Sequence, residues 1–465
     1  MRFPPSTDSY QTRSRAIATQ RLVNIYPEIQ PPNAYAKMAF IGTPGLKLFK
    51  TVGDGPIRGL HMWDDVLFAV SGEELYSISA DMTVIKIGDI PGTGTVDIIQ
   101  NLAETMIRSG EKGYVIEGGI VTEITDEDFV KARSLAYLDG YAIYTREQGR
   151  WAISKLQKFK EYDGLDYATA ESHPDDLVGV IVSNREVWLM GEKTIEVWWN
   201  TGDSNFPFER FPDGVIEKGC LAGQSVAKAD GSVFWLGSDF MVYQATGRQP
   251  VRISTHAIEE VFESYKNPEQ AVAFTYSQNG HLFYVLTFAE ATWCYDLATQ
   301  LWHERLSYGL PNWRVSTVAS DATGAVRAFR EVVMGDAYNG NIYILDQDEY
   351  TENGTEIPRI ITSPIIHAEN ANVSQSELIL EMESGVGTGN GQGEDPQAML
   401  RWSDNNGATW SNEVWASMGK QGEYGWVCKW TRLGMFKKRV YEVTITDPVR
   451  VVILAMDTKE SVSER

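Results

Sequence analysis

The sequence has 465 residues, more than one ordinary hydrophobic core organises, so two or more domains are expected. A hydrophobic fraction of 43% with 14 Trp excludes an intrinsically disordered chain, and no run reaches the roughly 18 apolar residues of a membrane-spanning helix. The formal net charge of −22 argues against tight binding to nucleic acid, but it is compatible with a protein that surrounds nucleic acid and lets it slide.

The first segment, residues 1–55, begins with polar residues and lacks the apolar region of a secretory signal, so none is expected. Prolines interrupt this segment repeatedly and periodic signals are few. We expect an extended N-terminal arm with one or two strands, packed across the other elements.

The segment Glu171–Gly202 shows most clearly the pattern that dominates the chain. Three short runs rich in Val, Ile and Trp are separated by the polar turns Asn184-Arg185 and Gly191–Lys193. Runs of this length joined by two- or three-residue turns predict an antiparallel meander, which cannot bury both of its faces alone. Neighbouring units of the same kind are therefore expected.

Seven windows with this pattern recur between residues 56 and 350, and Asp139-Gly140, Asp230-Gly231 and Asn279-Gly280 each precede the second strand of a window. The irregular period of roughly 35 to 50 residues matches a four-stranded propeller blade. The sequence therefore predicts an all-β chain with a β-propeller of six or seven blades, and two stacked β-sandwiches are the competing interpretation.

Three segments depart from the blade pattern. Residues 155–172 are predicted to form a polar excursion between strands, and 254–266 a helix capped by Ser254 or Thr255. After Tyr350 the composition changes, and strict alternation in Arg439–Ile445 predicts that residues 360–465 form an antiparallel β-sandwich.

The sequence contains no motif that predicts chemistry. The six histidines never fall at metal-ligand spacing, and no Ser/His/Asp, Cys/His or paired-carboxylate arrangement stands out. The glycine-rich stretch Gly385–Gly393 lacks a following Gly-Lys-Ser/Thr, so it predicts a flexible loop and not a phosphate-binding loop. The three cysteines are far apart in sequence and predict buried thiols in a reducing cytoplasm. No catalytic, cofactor-binding or metal-binding residues and no enzyme activity are expected.

Two short motifs call for a comment. Ser403–Trp410 resembles the Asp-box of sialidase-type propellers, with Asn405 in place of the usual Asp, and it predicts a hairpin whose turn is capped by its own polar side chains. Lys437, Lys438 and Arg439 form a basic tripeptide in an acidic chain. A solvated edge is the simpler interpretation, and a contact to an acidic partner or to a nucleic-acid backbone is the alternative.

These segments together resemble one family. The chain is similar to the packaged-DNA stabilisation proteins of short-tailed phages, the hub or nozzle subunits of the tail, over residues 20–455. The resemblance lies in the order and spacing of several segments: Arg21–Ile29, Ile41–Phe49, Glu171–Val180, Thr194–Gly202, Ile216–Gly223, Trp402–Ser411 and Trp430–Val449. The glycine-rich loop at 385–396 is not among the segments that carry the resemblance.

The resemblance implies a structural virion protein, made in the host bacterial cytoplasm, that forms a homo-hexameric ring below the portal and its adaptor. Such a ring closes the DNA channel after packaging, retains the genome and lets double-stranded DNA pass at ejection, while tail fibres or spikes dock around it. The family implies no catalytic residues. Six chains at −22 give −132, so weak or no self-association is expected in isolation.

A basic channel wall would hold DNA by counterion release, so we expect the lumen of the ring to be acidic. The candidate wall residues are the turn carboxylates Asp126, Glu127, Asp128, Asp175 and Asp176, although such residues are most often solvated.

Two other classes of function stay open. One is a glycan-processing or glycan-binding propeller, which the 14 Trp and the Asp-box-like turn favour; the other is an adhesion or scaffold propeller.

Overall fold

The computed structural model describes residues 2–3, 5–12, 14, 17–170, 175–321, 327–369 and 371–463. Within this part, the chain consists of seven four-stranded β-sheet units followed by two sheets that share one hydrophobic core. The seven units are numbered here as blades 1 to 7 in chain order.

Blades 1 to 6 are antiparallel meanders in which the four strands pair in the order of the sequence. The strands of blade 1 are Ile57–Trp63, Val66–Ser71, Glu74–Ser79 and Val84–Asp89; of blade 2, Asp97–Gln100, Glu104–Ser109, Lys112–Glu117 and Ile120–Glu123; of blade 3, Leu135–Leu138, Tyr141–Thr145, Arg150–Ile153 and Tyr167–Thr169; of blade 4, Leu177–Ser183, Glu186–Gly191, Ile195–Asn200 and Phe208–Ile216; of blade 5, Ala227–Ala229, Ser232–Leu236, Val242–Thr246 and Gln249–Arg252; of blade 6, Val272–Gln278, His281–Thr287, Thr292–Asp296 and Leu301–Arg305.

Blade 7 draws its strands from both ends of the propeller sequence. Its first three strands are Val315–Val318, Val333–Asp336 and Asn341–Asp346, and its fourth is Gly45–Thr51 from the N-terminal arm. In this fourth strand Leu46 is fully buried, whereas Leu48 is exposed beside the position where the register with Asn341–Asp346 shifts by one residue. Gly45 is required because a Cβ atom there would lie 2.2 Å from the Thr351 carbonyl oxygen.

The first strands of neighbouring blades contact one another, with blades 4 and 5 joined through the short helix Gly223–Ser225 and the Lys228–Val182 hydrogen bond, and the first strand of blade 7 contacts that of blade 1, so the blades close into a ring. The predicted propeller is therefore confirmed, with seven blades. The alternative of two stacked sandwiches is wrong, since each meander packs its faces against the next meander around an axis.

Two predicted departures from the blade pattern are present. The predicted helix is α1, His256–Ser264, with Ile258 and Phe262 buried; neither predicted capping side chain bonds the helix end, because the Ser254 hydroxyl donates to Glu259 instead. The excursion between the last two strands of blade 3 is less polar than predicted, because it buries Phe159 and Tyr162. The short helices Gly223–Ser225 and Pro268–Gln270 lie before and after blade 5.

The C-terminal sandwich predicted from the sequence is also confirmed. Its first sheet contains, in spatial order, Cys428–Phe436, Asn372–Met382, Val452–Ser463, Met38–Gly42 and Ile25–Ile29, with Arg2–Phe3 also paired to Val452–Ser463. Its second sheet contains Val414–Ser417, Gln397–Ser403, Lys438–Ile445, Arg359–Thr362 and Leu22–Val23, with Ile366–His367 also paired to Lys438–Ile445. Tyr10–Gln11 forms a separate short pair with Thr19–Gln20, while Thr351–Glu352 pairs with both Thr355–Glu356 and Gly45–Thr51 and so extends the sheet of blade 7.

The N-terminal arm joins the two domains. Leu22–Val23 pairs with Arg359–Thr362 of the sandwich on one side and with blade 6 on the other, so one sheet continues from domain to domain. Arg21 and Glu304 of blade 6 form an ion pair of 2.8 Å. The arm therefore supplies more strands than the one or two predicted. One of them, Leu22–Val23, lies between the two domains and pairs with both.

A buried histidine lies at this joint. His281 of blade 6 is 6% exposed, and its ring nitrogens lie 2.8 Å from the Asp296 carboxylate and 3.4 Å from Glu28 of the arm. The hydrogen bond to Asp296 raises the pKa of His281. Protonated His281 thus links arm and propeller.

We expect His281→Gln to destabilise the protein by about 1.5–3 kcal/mol near pH 6, because a charged hydrogen bond is lost. Since the folded-state pKa is raised, this contribution is complete below about pH 6.5 and disappears as the pH rises through the folded-state pKa. Thermal unfolding between pH 5.5 and 9 measures it. His256→Gln, at an exposed site, is the control. Equal losses at all pH values would contradict the prediction.

Candidate functional site

The propeller axis contains two adjoining cavities of about 240 and 200 Å³ between the first strands of the blades. The polar side chains that line them include Arg58, His61, Gln100, Gln224, Lys228 and Asp321. At about 30 Å³ per water molecule, the larger cavity holds about eight waters. A DNA duplex, whose major groove alone is about 12 Å wide, does not fit.

The polar side chains of these cavities bond to neighbouring groups of the propeller itself. The His61 Nε2 atom lies 2.5 Å from Gln100 Oε1, and Lys228 Nζ donates to the Val182 carbonyl at 3.4 Å. Burial lowers the pKa of both His61 and Lys228. These axial residues were not identified from the sequence, because they come from three separate strands, a short helix and a connecting segment and form no local motif.

The first group of predicted wall carboxylates lies in the connection between blades 2 and 3. Asp126 accepts hydrogen bonds from the backbone N–H groups of Asp128 and Tyr162 at 2.9 and 3.0 Å, so its carboxylate holds the loop together. Glu127 and Asp128 are exposed. This group therefore divides into one structural carboxylate and two that face solvent.

The second group directly precedes the first strand of blade 4. Asp175 accepts hydrogen bonds from the N–H groups of Lys193 and Thr194 at 2.7 and 3.0 Å, and Asp176 pairs with Arg133 at 3.2 Å. None of the five predicted carboxylates lines the axial cavities. A channel wall built from these carboxylates would lie between copies of the chain in an assembly. Their role as channel-wall residues stays a prediction.

The three residues of the basic tripeptide differ in burial, and the predicted partner contact needs a correction for Arg439. Arg439 is only 3% exposed; its guanidinium pairs with Asp404 at 2.6 and 2.9 Å and donates to the Leu433 carbonyl at 2.6 Å. It is therefore a core residue of the sandwich and offers no surface contact. Lys437 and Lys438 are exposed.

The Asp-box-like segment forms the predicted hairpin turn. Ser403 Oγ accepts from the Gly407 N–H at 2.7 Å, and Asn405 Oδ1 accepts from the Thr409 N–H at 2.8 Å. The three cysteines are buried, as predicted, and burial raises the pKa of each thiol to about 12. Among the described residues there is no group of three or more His, Cys, Asp or Glu that could hold a metal ion, and no helix long and apolar enough to cross a membrane.

An open groove of about 740 Å³ lies between the outer strands of blades 3 and 4. Four of its lining side chains are aromatic: Tyr167, Trp198, Phe208 and Phe211. Tyr167 is the exposed one of these four, Phe208 is buried and Trp198 and Phe211 are half-buried, so Tyr167 is where a glycan-binding propeller would stack a sugar ring.

Comparison with known proteins identifies two matching family models. "Bacteriophage P22 Gp10, beta-propeller" matches residues 6–350, and "Bacteriophage P22 Gp10, beta-sandwich" matches residues 358–459. The two matches cover nearly the whole chain in the order that the structure shows. No curated protein matches the sequence.

Several solved structures resemble the propeller. A streptogramin B lyase is 11% identical, with a TM-score of 0.44, over 65% of this chain and 98% of its own. The computationally designed Ika8 protein is 10% identical, with a TM-score of 0.41, over 65% and 99%. The Neurospora crassa Pan2 WD40 domain is 9% identical, with a TM-score of 0.41, over 63% and 89%. Likeness at this level carries no functional inference.

Proposed function

Because this chain belongs to the family of bacteriophage P22 Gp10, the packaged-DNA stabilisation proteins of the phage tail, we propose that it forms the hub or nozzle ring below the portal and adaptor. The ring closes the DNA channel after packaging, retains the genome and lets it pass at ejection. The single observation that carries this proposal is the match of both domains, in succession, to one family of tail structural proteins.

The dimensions of the propeller support a ring of several copies. Its own axis holds only cavities of about 240 and 200 Å³, so a duplex cannot pass through one subunit. A channel for DNA must therefore lie between subunits. A homo-hexamer supplies such a lumen, and its contacts to portal, adaptor and fibres or spikes offset the repulsion of a ring that carries −132.

The test is a phage that lacks this chain, complemented by the wild-type chain as a control. We expect capsids that package DNA but lose it on purification, and cryo-electron microscopy of complemented particles is expected to show six copies below the portal. Full retention of DNA without the chain, or a position away from the tail axis, would refute the proposal.

We propose further that the lumen is acidic and that the exposed Glu127 and Asp128 contribute to its wall. Glu127→Lys with Asp128→Lys is expected to slow DNA ejection several-fold at low salt, because each new phosphate contact adds counterion release. The measurement is ejection rate against NaCl concentration. Glu263→Lys with Glu413→Lys changes the charge equally at other exposed sites and is the control. Equal rates for both pairs would rule out this wall.

The aromatic groove between blades 3 and 4 supports glycan binding as a second candidate function. Its test is a glycan array with the wild-type chain and a Tyr167→Ala variant. Selective binding that the variant loses would favour it, and absence of any binding would exclude it.

A further inference from the structure

One side of the sandwich leaves two edge strands open. Val414–Ser417 ends the second sheet and Cys428–Phe436 ends the first, and among the described residues no further strand pairs with either outer edge. The Trp430 indole N–H donates to the Val414 carbonyl at 2.8 Å, so the two edges lie side by side. Open edges are available for association unless something covers them.

Large apolar side chains are exposed along this side. Trp415 is 61% exposed, Tyr424 80% and Trp426 45%, and the neighbouring Val414 and Val427 are exposed as well. Trp426 is held in place, because its indole N–H donates to the Ser417 carbonyl at 2.8 Å. Aromatic residues fixed at a surface are characteristic of the centre of protein–protein interfaces.

The edge strand Cys428–Phe436 and the two residues that directly follow it carry a row of cations. Lys429, Arg432, Lys437 and Lys438 are exposed, and none of them forms an ion pair with a described residue. Lys429 and Arg432 lie within the strand, which extends about 23 Å from Lys429 to Phe436 at roughly 3.3 Å per residue, and Lys438 begins the strand Lys438–Ile445 of the second sheet. We call Trp415, Tyr424, Trp426 and these four cations the sandwich edge. It combines an apolar centre with a basic margin.

The opposite charge lies elsewhere in the same chain. Residues 358–465 contain 11 Lys and Arg against 14 Asp and Glu, a net charge of −3, so residues 1–357 carry −19 of the total of −22. The propeller and arm are therefore strongly acidic. A basic, aromatic surface on one copy and an acidic propeller on another are electrostatically complementary.

We propose that the sandwich edge docks on the acidic propeller of a second copy of this chain. A second copy is favoured over DNA because phosphate binding does not need three exposed aromatic side chains, and because a chain of −22 repels a duplex as a whole. The contact joins two different surfaces, so it is heterologous, and contacts of this type form a ring when the rotation from one copy to the next closes. The inference rests on the proposed ring and assigns its subunit contact.

Cross-linking tests the contact directly. The purified full chain, unlabelled and nitrogen-15-labelled in equal amounts, is mixed at high concentration and low salt and treated with a carbodiimide that joins lysines to carboxylates. We expect mixed-isotope peptides that link Lys429, Lys437 or Lys438 to carboxylates of residues 1–357. The same links are expected in purified virions. Absence of mixed-isotope links from the sandwich edge in both samples would overturn the inference.

Charge reversal separates this surface from the effect of total charge. Lys437→Glu with Lys438→Glu changes the net charge from −22 to −26, and is expected to weaken self-association in sedimentation velocity at least about tenfold. Lys193→Glu with Lys266→Glu makes the same change at exposed positions of the propeller and is expected to have less than a threefold effect. Equal effects of the two pairs would count against the sandwich edge.

A third pair of substitutions tests the apolar centre. Trp415→Ala with Trp426→Ala is expected to weaken association about equally at low and high salt, with only a small change in thermal unfolding because Trp415 is 61% and Trp426 45% exposed. Binding of a 30-base-pair duplex that is lost in the lysine variant, with self-association intact, would assign the surface to DNA instead. A virion ring joined through other surfaces would refute this inference alone, whereas absence of the chain from tails would refute the proposed function.

Discussion

Leu46→Asp is expected to prevent the protein from folding. Leu46 is fully buried in the strand that completes blade 7, where it packs with Phe274, Trp313 and Tyr343. The substitution removes a buried side chain, which costs about 2–5 kcal/mol, and places a carboxylate in an apolar core, which costs several kcal/mol more. Together these costs approach the whole stability of an ordinary domain. Soluble yield and circular dichroism measure the result.

Leu48→Asp is the matched control for this prediction. Leu48 lies two residues away, in the same strand, but it is 42% exposed. We therefore expect near-normal yield and a change in stability within about 1 kcal/mol. If both variants fold, Gly45–Thr51 does not close the propeller as the structure indicates.

Asp404→Asn is expected to destabilise the sandwich by about 2–3 kcal/mol, less than a fully buried pair would lose, because Asp404 itself is 49% exposed. The substitution keeps the shape of the side chain but leaves the Arg439 guanidinium, 3% exposed, without its counter-charge. A buried cation without a partner is more costly than the pair is favourable. Urea unfolding followed by tryptophan fluorescence measures the loss.

A double substitution separates the cost of the unpaired buried charge from any other cost of replacing Asp404. In Asp404→Asn with Arg439→Met the uncompensated cation is removed, so we expect this double variant to be more stable than Asp404→Asn alone. Lys438→Met, at the neighbouring exposed position, is expected to change stability by less than about 0.5 kcal/mol. A double variant that is the least stable of the set would contradict the argument.

The repeating hairpins could be predicted because their signals are local. In Asp139-Gly140, Asp230-Gly231 and Asn279-Gly280 every residue has a positive φ, between 48° and 96°, which is the conformation that tight hairpin turns need. Asp, Asn and Gly tolerate this conformation best, so the turns are visible in the sequence itself. Counting seven such units required no knowledge of long-range contacts.

The way the propeller closes and joins the sandwich could not be predicted. Gly45–Thr51 pairs with Asn341–Asp346, and Leu22–Val23 pairs with both domains, but neither segment has a turn or a period that names its partner. The burial of individual charged residues could not be predicted either. Lys438 and Arg439 are adjacent and chemically alike, yet one is exposed and the other buried, because successive strand residues point to opposite faces.

The closing strand also determines when the protein can fold. Thr51 leaves the ribosome about 290 residues before its partner Asn341, a delay of roughly 15–60 s at 5–20 residues per second. Met38–Gly42 waits even longer, because Val452–Ser463 is the last strand made. During synthesis Gly45–Thr51 has no native partner and Met38–Gly42 has only Ile25–Ile29, so their open edges could pair wrongly. The prolines at positions 27, 31, 32 and 44, which cannot donate to a β-ladder, protect the nascent arm until the rest of the chain arrives.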